Sequence, residues 1–505
     1  MAHLIRSSIL RLRRQQQQQR LFRSQAHVHA GSGNGSGNDN GNGMFNSIDS
    51  HPNLNVNVNA NRRISHFQTS FSPHIRKLFS TASTIEIETE TETETEIDDS
   101  TSATRTPVTS LAEDELMIQD SVRSWANTTL RPLVREMEDQ QQIPPHLIHQ
   151  LFQNGYMGLE IPLHYHGGSG LNFTSACITV LELSRVDPSV ALLVDIHNTL
   201  VVNAIRFWGS QFLKDKYLPR LATDTVTSFC LTEPDSGSDA FSMKSTATPS
   251  EDGSYYTIHG SKAWISNARE AGLLLVFCKV KKKHSIDNQS ESESESDSAS
   301  YKTITAFLID ANAPGVHIGK PESKLGLKAS ATCPITFDGV KVDADHILGE
   351  VGQGYKYCIQ ILNEGRIGIA AQQIGIAKGC LDEVFPYLHE RKQFGQKLVD
   401  MPVMQQQYAQ AVTELHAAEV MMYNACRLKE NGLDFVKESA MVKLYASQVA
   451  DRIASQSVEW LGGIGYTTDL IVEKFYRDVK VGSIYEGSSN IQRQTIAKFV
   501  SKEYE

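Results

Sequence analysis

The sequence lacks the usual marks of several protein classes. Its seven cysteines (Cys177, Cys230, Cys278, Cys333, Cys358, Cys380, Cys426) are an odd number, and none lies in a Cys-x-x-Cys pair. That disfavours both a disulfide framework and a structural zinc site, and points to a reducing compartment. No run approaches eighteen apolar residues, so no membrane-spanning helix is expected. The net charge of −10 argues against nucleic acid as the main partner. Also missing are a G-x-x-x-x-G-K-[ST] phosphate loop, an H-E-x-x-H metal motif, a G-x-S-x-G elbow and a G-x-G-x-x-G between strand and helix. A Rossmann dinucleotide site is therefore unsupported.

What is present starts with a segregated N-terminus. Residues 1–80 hold ten Lys/Arg (Arg6, Arg11, Arg13, Arg14, Arg20, Arg23, Arg62, Arg63, Arg76, Lys77) against two acids, Asp39 and Asp49. Arg-rich and acid-poor is the composition of a mitochondrial transit peptide, whereas secretion would need an apolar core that is not there. A disordered tail without an address is the plainer alternative. From Thr81 on, 38 basic face 56 acidic residues, a net of −18. Residues 81–105 carry a Thr/Glu repeat whose like charges repel, a solvated spacer. A second low-complexity stretch, 281–300, lies between strand-like runs and reads as an inserted acidic Ser/Glu surface loop.

The chain is long enough for about three domains of ~150 residues. Residues 106–225 are mostly helical: Ser110 and Glu113 form a capping-box pattern, and Ile118, Val122, Trp125, Leu130 and Val134 recur near helical spacing. Pro144-Pro145 opens a short helix that stops at Gly155, and 174–186 and 189–208 read as helices parted by Asp187-Pro188. Residues 226–343 change to short β runs at 226–231, 255–258, 273–278, 303–309 and 334–337. Residues 344–505 return to helices at 354–390, 401–430, 434–461 and 489–503, with Gly462-Gly463-Ile464-Gly465 as a break. The order is α, β, α: an α+β chain with a helical bundle at its end.

Three polar segments interrupt this regular structure. Phe229 to Asp239 opens a strand into Gly, Ser and Thr, which could offer N–H groups to an anion or be an ordinary turn. Gly260 to Asn267 carries Trp264 among small polar residues, either to stack on a planar ring or to fill a core. Ile484-Tyr485-Glu486-Gly487-Ser488-Ser489-Asn490 puts a carboxylate beside apolar residues just before the last helix. Glu486 there is either a buried base with a raised pKa or only a helix-start residue.

Together and in this order, these segments resemble the acyl-CoA dehydrogenases, and within them the mitochondrial short/branched-chain type, over roughly 110–505. The matching motifs are Leu231-Thr-Glu-Pro-Asp-Ser-Gly-Ser-Asp239, Trp264-Ile265-Ser266, Lys324 to Pro334, Gly354-Tyr-Lys-Tyr357, Asn363-Glu-Gly-Arg366 and Ile484-Tyr-Glu-Gly487. The resemblance implies an N-terminal helical domain, a middle β-barrel-like domain and a C-terminal four-helix bundle. It implies a homotetramer that binds FAD, takes an acyl-CoA substrate and passes electrons to electron-transfer flavoprotein in the mitochondrial matrix. It makes the flavin neighbours Phe229, Cys230, Leu231, Thr232, Glu233, Pro234, Asp235, Ser236, Gly237 and Ser238, then Trp264, Ile265 and Ser266. Arg391, Glu459, Trp460, Leu461, Gly462 and Gly463 would reach FAD from a neighbouring subunit, and Ser488, Ser489 and Asn490 would hold its other end. Ser238, Tyr301, Tyr355, Asn363, Glu364, Gly365 and Arg366 would face the acyl-CoA, and no metal is implied.

Two positions refine that expectation. Where the family often has a Phe-Gln pair on FAD, this chain has Met401-Pro402, so that contact is lost or passes to Gln405. Relatives of the isovaleryl and long-chain types place their base Glu near Arg366, where this chain has Gly365, while Glu364 points ~100° away on a helix. Glu486 is then the implied catalytic base. The implied reaction is α,β-dehydrogenation of a saturated acyl-CoA, 2-methylbutyryl-CoA above all, as in isoleucine breakdown. A butyryl-CoA-type enzyme, an oxidase using O₂ and a catalytically silent assembly scaffold are the rivals.

Overall fold

The computed structural model describes residues 107–281 and 303–505. The N-terminal transit segment, the Thr/Glu spacer, the Ser/Glu loop and Tyr301 lie outside the described residues.

The first layer is helical. It runs α1 Glu113–Trp125, α2 Val134–Gln140, α3 Pro145–Gln153, α4 Phe173–Ser184, α5 Pro188–Asp195, α6 Asn203–Trp208 and α7 Gln211–Thr223. The start of α1 corrects the expected capping box. Its N-cap is Ala112, and Glu115 reaches back to accept from the Ala112 N–H at 2.8 Å. A carboxylate two residues past the expected Glu113 does the capping, because Arg427 and Asn172 also converge on it.

Asn172 caps α4 and Asp187 caps α5, each accepting from backbone N–H groups, so both helices enter the core at fixed angles. Between α5 and α6 the chain stays helical but widens into π-type turns over Ile196–Val202. The resulting stretch Pro188–Trp208 has the length and hydropathy of a membrane span, although polar residues interrupt its apolar run. It is buried almost throughout, so it is a core helix.

The middle layer is a sheet with β1 Val226–Cys230, β2 Thr246–Pro249, β3 Tyr255–Ser266, β4 Ala271–Val280, β5 Ile304–Asp310, β6 Val316–Ile318, β7 Thr332–Asp343 and β8 Ile347–Leu348. Its order is β6-β7-β3-β2-β4-β5-β8, with β1 parallel to β4. β4 is apolar on both faces from Leu273 to Cys278 because one face meets the helices and the other the sheet's own core.

The last layer holds α8 Gly354–Glu390, a small hairpin of β9 Lys392–Gln393 and β10 Gln396–Lys397, α9 Pro402–Glu430, α10 Val436–Leu461, α11 Val472–Asp478 and α12 Ser489–Glu503. α8 is the spine of the molecule: it packs on α10, α9 and α4, and on the π-type turns after α5. Its glycines permit that closeness. A Cβ on Gly375 would meet the Leu181 carbonyl oxygen at 2.3 Å, and one on Gly368 would meet Asp195 Oδ1 at 2.0 Å.

Candidate active site

The turn that carries Glu486 follows a short 3₁₀ turn, Val479–Ser483. Glu486 and Gly487 are both left-handed, with φ +49° and +85°. For a glutamate that conformation is strained, and it persists only because neighbours over-determine it. Gln492 Nε2 donates to the carbonyls of Glu486 (3.2 Å) and Gly487 (2.9 Å). Lys443 Nζ, on α10, donates to the Gly487 carbonyl at 2.7 Å. The turn lays the Glu486 side chain back on α8 at Gly365. A Cβ on Gly365 would stand 3.0 Å from Glu486 Oε2 and 2.8 Å from Leu200 Cδ2, so only glycine leaves room for the carboxylate.

Glu486 as a whole is half-buried, yet its Oε2 is out of water and has no hydrogen-bond partner. Burial pushes its carboxyl up to about 7, against the pull of the Lys443 and Arg366 cations. Among the described residues nothing hydrogen-bonds the Glu486 backbone N–H. A carboxylate with one dry oxygen, beside an unused amide donor and packed against Leu200, can take a proton from carbon next to a carbonyl. The helix-start alternative for Glu486 does not hold: the residue stands outside α12, which starts at Ser489, and its side chain caps nothing.

The segment after β1 is held by a buried ion pair of which the sequence carries no local sign. Lys262 on β3 is fully buried; its Nζ donates to Glu233 Oε1 (2.8 Å) and to the Leu231 carbonyl (3.0 Å). Glu233 also accepts from the N–H groups of Lys244 (2.5 Å) and Ser245 (3.0 Å). The Thr232 carbonyl accepts from Ala263 N–H at 2.9 Å. The Glu233 carboxylate is consumed inside the protein and pins the loop. Cys230 and Leu231 are buried, and the Phe229 ring packs tilted against Phe277, with centroids 5.2 Å apart. Pro234, Asp235, Gly237 and Ser238 are exposed, while Ser236 is buried with its hydroxyl donating to the Asp239 carbonyl at 2.6 Å. Beyond the missing Cβ of Gly237 there is open space.

Trp264 stands beside this loop, on a bulge. Between β3 and β7, Lys262 pairs with Ile335 and Ile265 with Cys333, so β3 carries one extra residue. Trp264 takes φ +60° there and is 61% exposed. It is not a core tryptophan. Ile265 is buried beneath it, and the Ser266 carbonyl accepts from Ser228 Oγ at 2.9 Å.

Family models agree with this arrangement. The acyl-CoA dehydrogenase N-terminal domain matches residues 112–225, the middle domain 228–340 and the C-terminal domain 352–501. The chain belongs to the acyl-CoA dehydrogenase family. It is 47% identical to the short/branched chain specific acyl-CoA dehydrogenase, mitochondrial, of Bos taurus, over 79% of this chain and 88% of that protein. Among solved structures it resembles the butyryl-CoA dehydrogenase of Megasphaera elsdenii (TM-score 0.73, 32% identity, 78% of this chain and 99% of the other). It also resembles a glutaryl-CoA dehydrogenase of Mycobacterium smegmatis in complex with FADH2 (TM-score 0.70, 26% identity, 78% and 95% covered).

Acyl-CoA dehydrogenases are flavin-dependent oxidoreductases acting on a CH–CH bond, and their cofactor is FAD. The residues present fit such a group. An indole face is exposed at Trp264, the backbone at Gly237 is uncovered, and a buried carboxyl oxygen of Glu486 has no partner.

The other expected residues divide. Tyr355, in the first turn of α8, lies 4.4 Å from the Phe241 ring, just past Ser238. Asn363 Oδ1 accepts from Arg366 Nη1 at 2.8 Å, and Arg366 Nε is buried without a partner. Glu364 is not with them: its carboxylate is turned into a buried network, 3.2 Å from Lys429 and 2.8 Å from Asn203, with Glu160 close by. Burial there pushes Glu364 up to about 7.

Arg391, Glu459, Gly462 and Gly463 are exposed, with open space beyond both glycines. Trp460 and Leu461 are core residues, and the Trp460 indole N–H donates to Gln407 Oε1 at 2.8 Å. Pro402 is the first residue of α9, and Gln405 is exposed one turn on. Ser488 precedes α12 at its N-cap, Ser489 Oγ donates to the Ser483 carbonyl at 3.4 Å, and Asn490 accepts from Arg493 at 3.2 Å. Lys262, Lys443, Gln492 and Leu200 give no signal in the sequence, where each looks like an ordinary helix or strand residue.

Proposed function

We propose that this protein dehydrogenates short, branched acyl-CoA thioesters at the α,β bond, with Glu486 as the base, 2-methylbutyryl-CoA as preferred substrate and a trans-2-enoyl-CoA as product. The observation that carries the reading is Oε2 of the Glu486 carboxylate, out of water, unpartnered and seated on Gly365. Removing an α-proton from a thioester needs a base stripped of water, and burial provides it. The thioester oxygen gathers negative charge as the proton leaves, and the unused Glu486 N–H is available to it. When bound, FAD supplies the acceptor for the hydride that leaves the β-carbon. Leu200 gives the α-carbon an apolar wall and keeps water from the carboxylate. Phe229 to Ser238, Trp264 to Ser266 and Ser488 to Asn490 hold the flavin of their own subunit. Arg391, Gly462 and Gly463 serve a neighbour's flavin in a homotetramer, a role consistent with their exposure.

The branched preference is supported by 47% identity to the cow short/branched-chain enzyme against 32% to the butyryl-CoA dehydrogenase. One or two methylenes in an apolar pocket discriminate by only ~1–3 kcal/mol, so butyryl-CoA remains a poorer substrate, not an excluded one. Isoleucine breakdown is the pathway this substrate implies, and electron-transfer flavoprotein the proposed electron acceptor. The mitochondrial matrix is the proposed location, supported by the Arg-rich, acid-poor residues 1–80 and by the mitochondrial relative.

Glu486→Gln tests the base. It is expected to keep FAD, seen in the visible spectrum, and to lose at least about 10³-fold in turnover. Near-normal turnover would show that the base lies elsewhere. Turnover of butyryl-, isobutyryl-, 2-methylbutyryl- and isovaleryl-CoA with an artificial acceptor tests the substrate, and highest kcat/KM on a straight chain would overturn the branched assignment.

A further inference from the structure

Among the described residues, one fully buried lysine has no carboxylate bonded to it. Lys262 is paired with Glu233, and Lys474 with Asp187 and Asp478. Lys443 is as deeply buried, and its hydrogen bond goes to a carbonyl, that of Gly487, at 2.7 Å. An ammonium out of water without a bonded counter-ion is costly, so its place calls for a reason. Four residues on, one turn of α10 away, Ser447 Oγ stands 2.9 Å from the Gly482 carbonyl. α10 thus holds both ends of the 482–487 segment, and the end nearer the base is held by a positive charge.

We propose that Lys443 is a positioning residue for the dehydrogenation: it locks the left-handed Glu486-Gly487 turn and, in its ammonium form, favours the ionised base. This rests on Glu486 being the base.

Every other element against Glu486 leaves little competing charge. Arg366 on α8 is the second cation facing it, its Nε unpartnered. Asp195, at the end of α5, packs its carboxyl on Gly368, one turn along α8 from Gly365, and burial holds it well above the usual carboxylate range. Tyr485 and Cys358 are pushed up by burial as well and are neutral. Lys443 and Arg366 are the cations that act on Glu486. Burial pulls Lys443 down to about 7 while Glu486 is pushed up to about 7, so the two titrate over one range as a pair. A base that works ionised gains activity as pH rises through its pKa. Removing a nearby cation raises that pKa and moves the acid limb of the profile to higher pH.

The test is the pH dependence of kcat/KM in the FAD-loaded enzyme. Lys443→Met is expected to move the acid limb up by about one pH unit, so that activity at pH 6.5 falls about tenfold while KM for the acyl-CoA changes less than about twofold. Lys443→Arg, which keeps the charge, should return the limb toward its original place. Ser447→Ala removes a neutral clamp of the same segment and should leave the limb unmoved, whatever it does to the melting temperature. If Lys443→Met does not fold, Lys443→Gln carries the same readout. An unmoved limb in the charge-removing variant, or an equal shift in Ser447→Ala, overturns the proposal. The Glu486→Gln measurement separates the two levels: if that variant stays active, the base reading has failed; if it is dead and the limb is unmoved, this inference alone has failed.

Discussion

The turn that carries Glu486 and the loop that follows β1 make opposite use of one chain. Around Glu486, four elements of the same chain close in: α8 with Gly365 and Arg366, α10 with Lys443, α12 with Gln492, and the π-type turns with Leu200. One carboxyl oxygen of Glu486, Oε2, is out of water before any ligand arrives. Around 231–239 the anchoring is just as strong but faces inward, through Glu233 and Lys262, while Gly237, Ser238 and Trp264 look outward over open space. On the proposed reading, the proton-handling half of the site is assembled within one chain. The half proposed to hold the cofactor is a rim anchored from inside, with its outer face open. Desolvation tunes a base, so the base must be enclosed from the start. A cofactor platform needs only shape, because the ligand itself provides the burial.

The largest effect is expected at the hidden anchor of the open rim. Lys262→Met strands the buried Glu233 carboxylate and frees the Leu231 carbonyl. Breaking one side of such a pair costs ~3–5 kcal/mol. Thermal unfolding should show a large drop, and FAD should be lost on gel filtration. Adding Glu233→Met to the first substitution should recover part of the stability. If the single variant melts like the parent, the rim is not held as described, and the contrast between the two regions collapses.

Gly365→Ala attacks the enclosed half. One methyl group enters 3.0 Å from Glu486 Oε2 and 2.8 Å from Leu200 Cδ2, and one of them must yield. A displacement near 1 Å at a reacting group costs on the order of 100-fold. Turnover should fall by about that factor with FAD content unchanged, since the rim is untouched. Loss of FAD together with turnover would mean the two halves are not separable.

The same contrast explains which features are legible in the amino-acid sequence. The order α, β, α, the long helices from 354 to 503 and the turn residues around Glu486 follow from period and punctuation, which are local properties. The sequence also marks 255–258 as a strand, but β3 runs on to Ser266, because pairing with β7 carries a polar stretch that propensity alone would end. The short strands β2 and β6 leave no pattern at all.

Nothing in the local sequence marks Lys262, Lys443 or Lys429 as buried, since burial of a charge is decided by partners far away in sequence: Glu233, Gly487 and the Glu160–Glu364 pair. Glu233 and Trp460 fall in segments the resemblance assigned to the flavin, yet their side chains serve the fold. A motif marks where a segment lies, and it does not say which of its side chains turn inward.

The smallest effect tests what the open rim costs the chain. Trp264 is held left-handed on a bulge with most of its ring in water, and neither feature stabilises the chain without its cofactor. The left-handed conformation costs a non-glycine residue ~1–2 kcal/mol. Glycine removes that cost but adds ~0.5–1 kcal/mol of backbone entropy to be lost on folding. Trp264→Gly should therefore leave the FAD-free chain as stable as before or about 1 kcal/mol more so, while FAD dissociates faster because the exposed indole face is gone. Thermal unfolding of the FAD-free protein and the rate of flavin release measure the two separately. A clear loss of stability without FAD would mean that the ring already packs on its own chain, and the rim would then be as self-contained as the turn beneath Glu486.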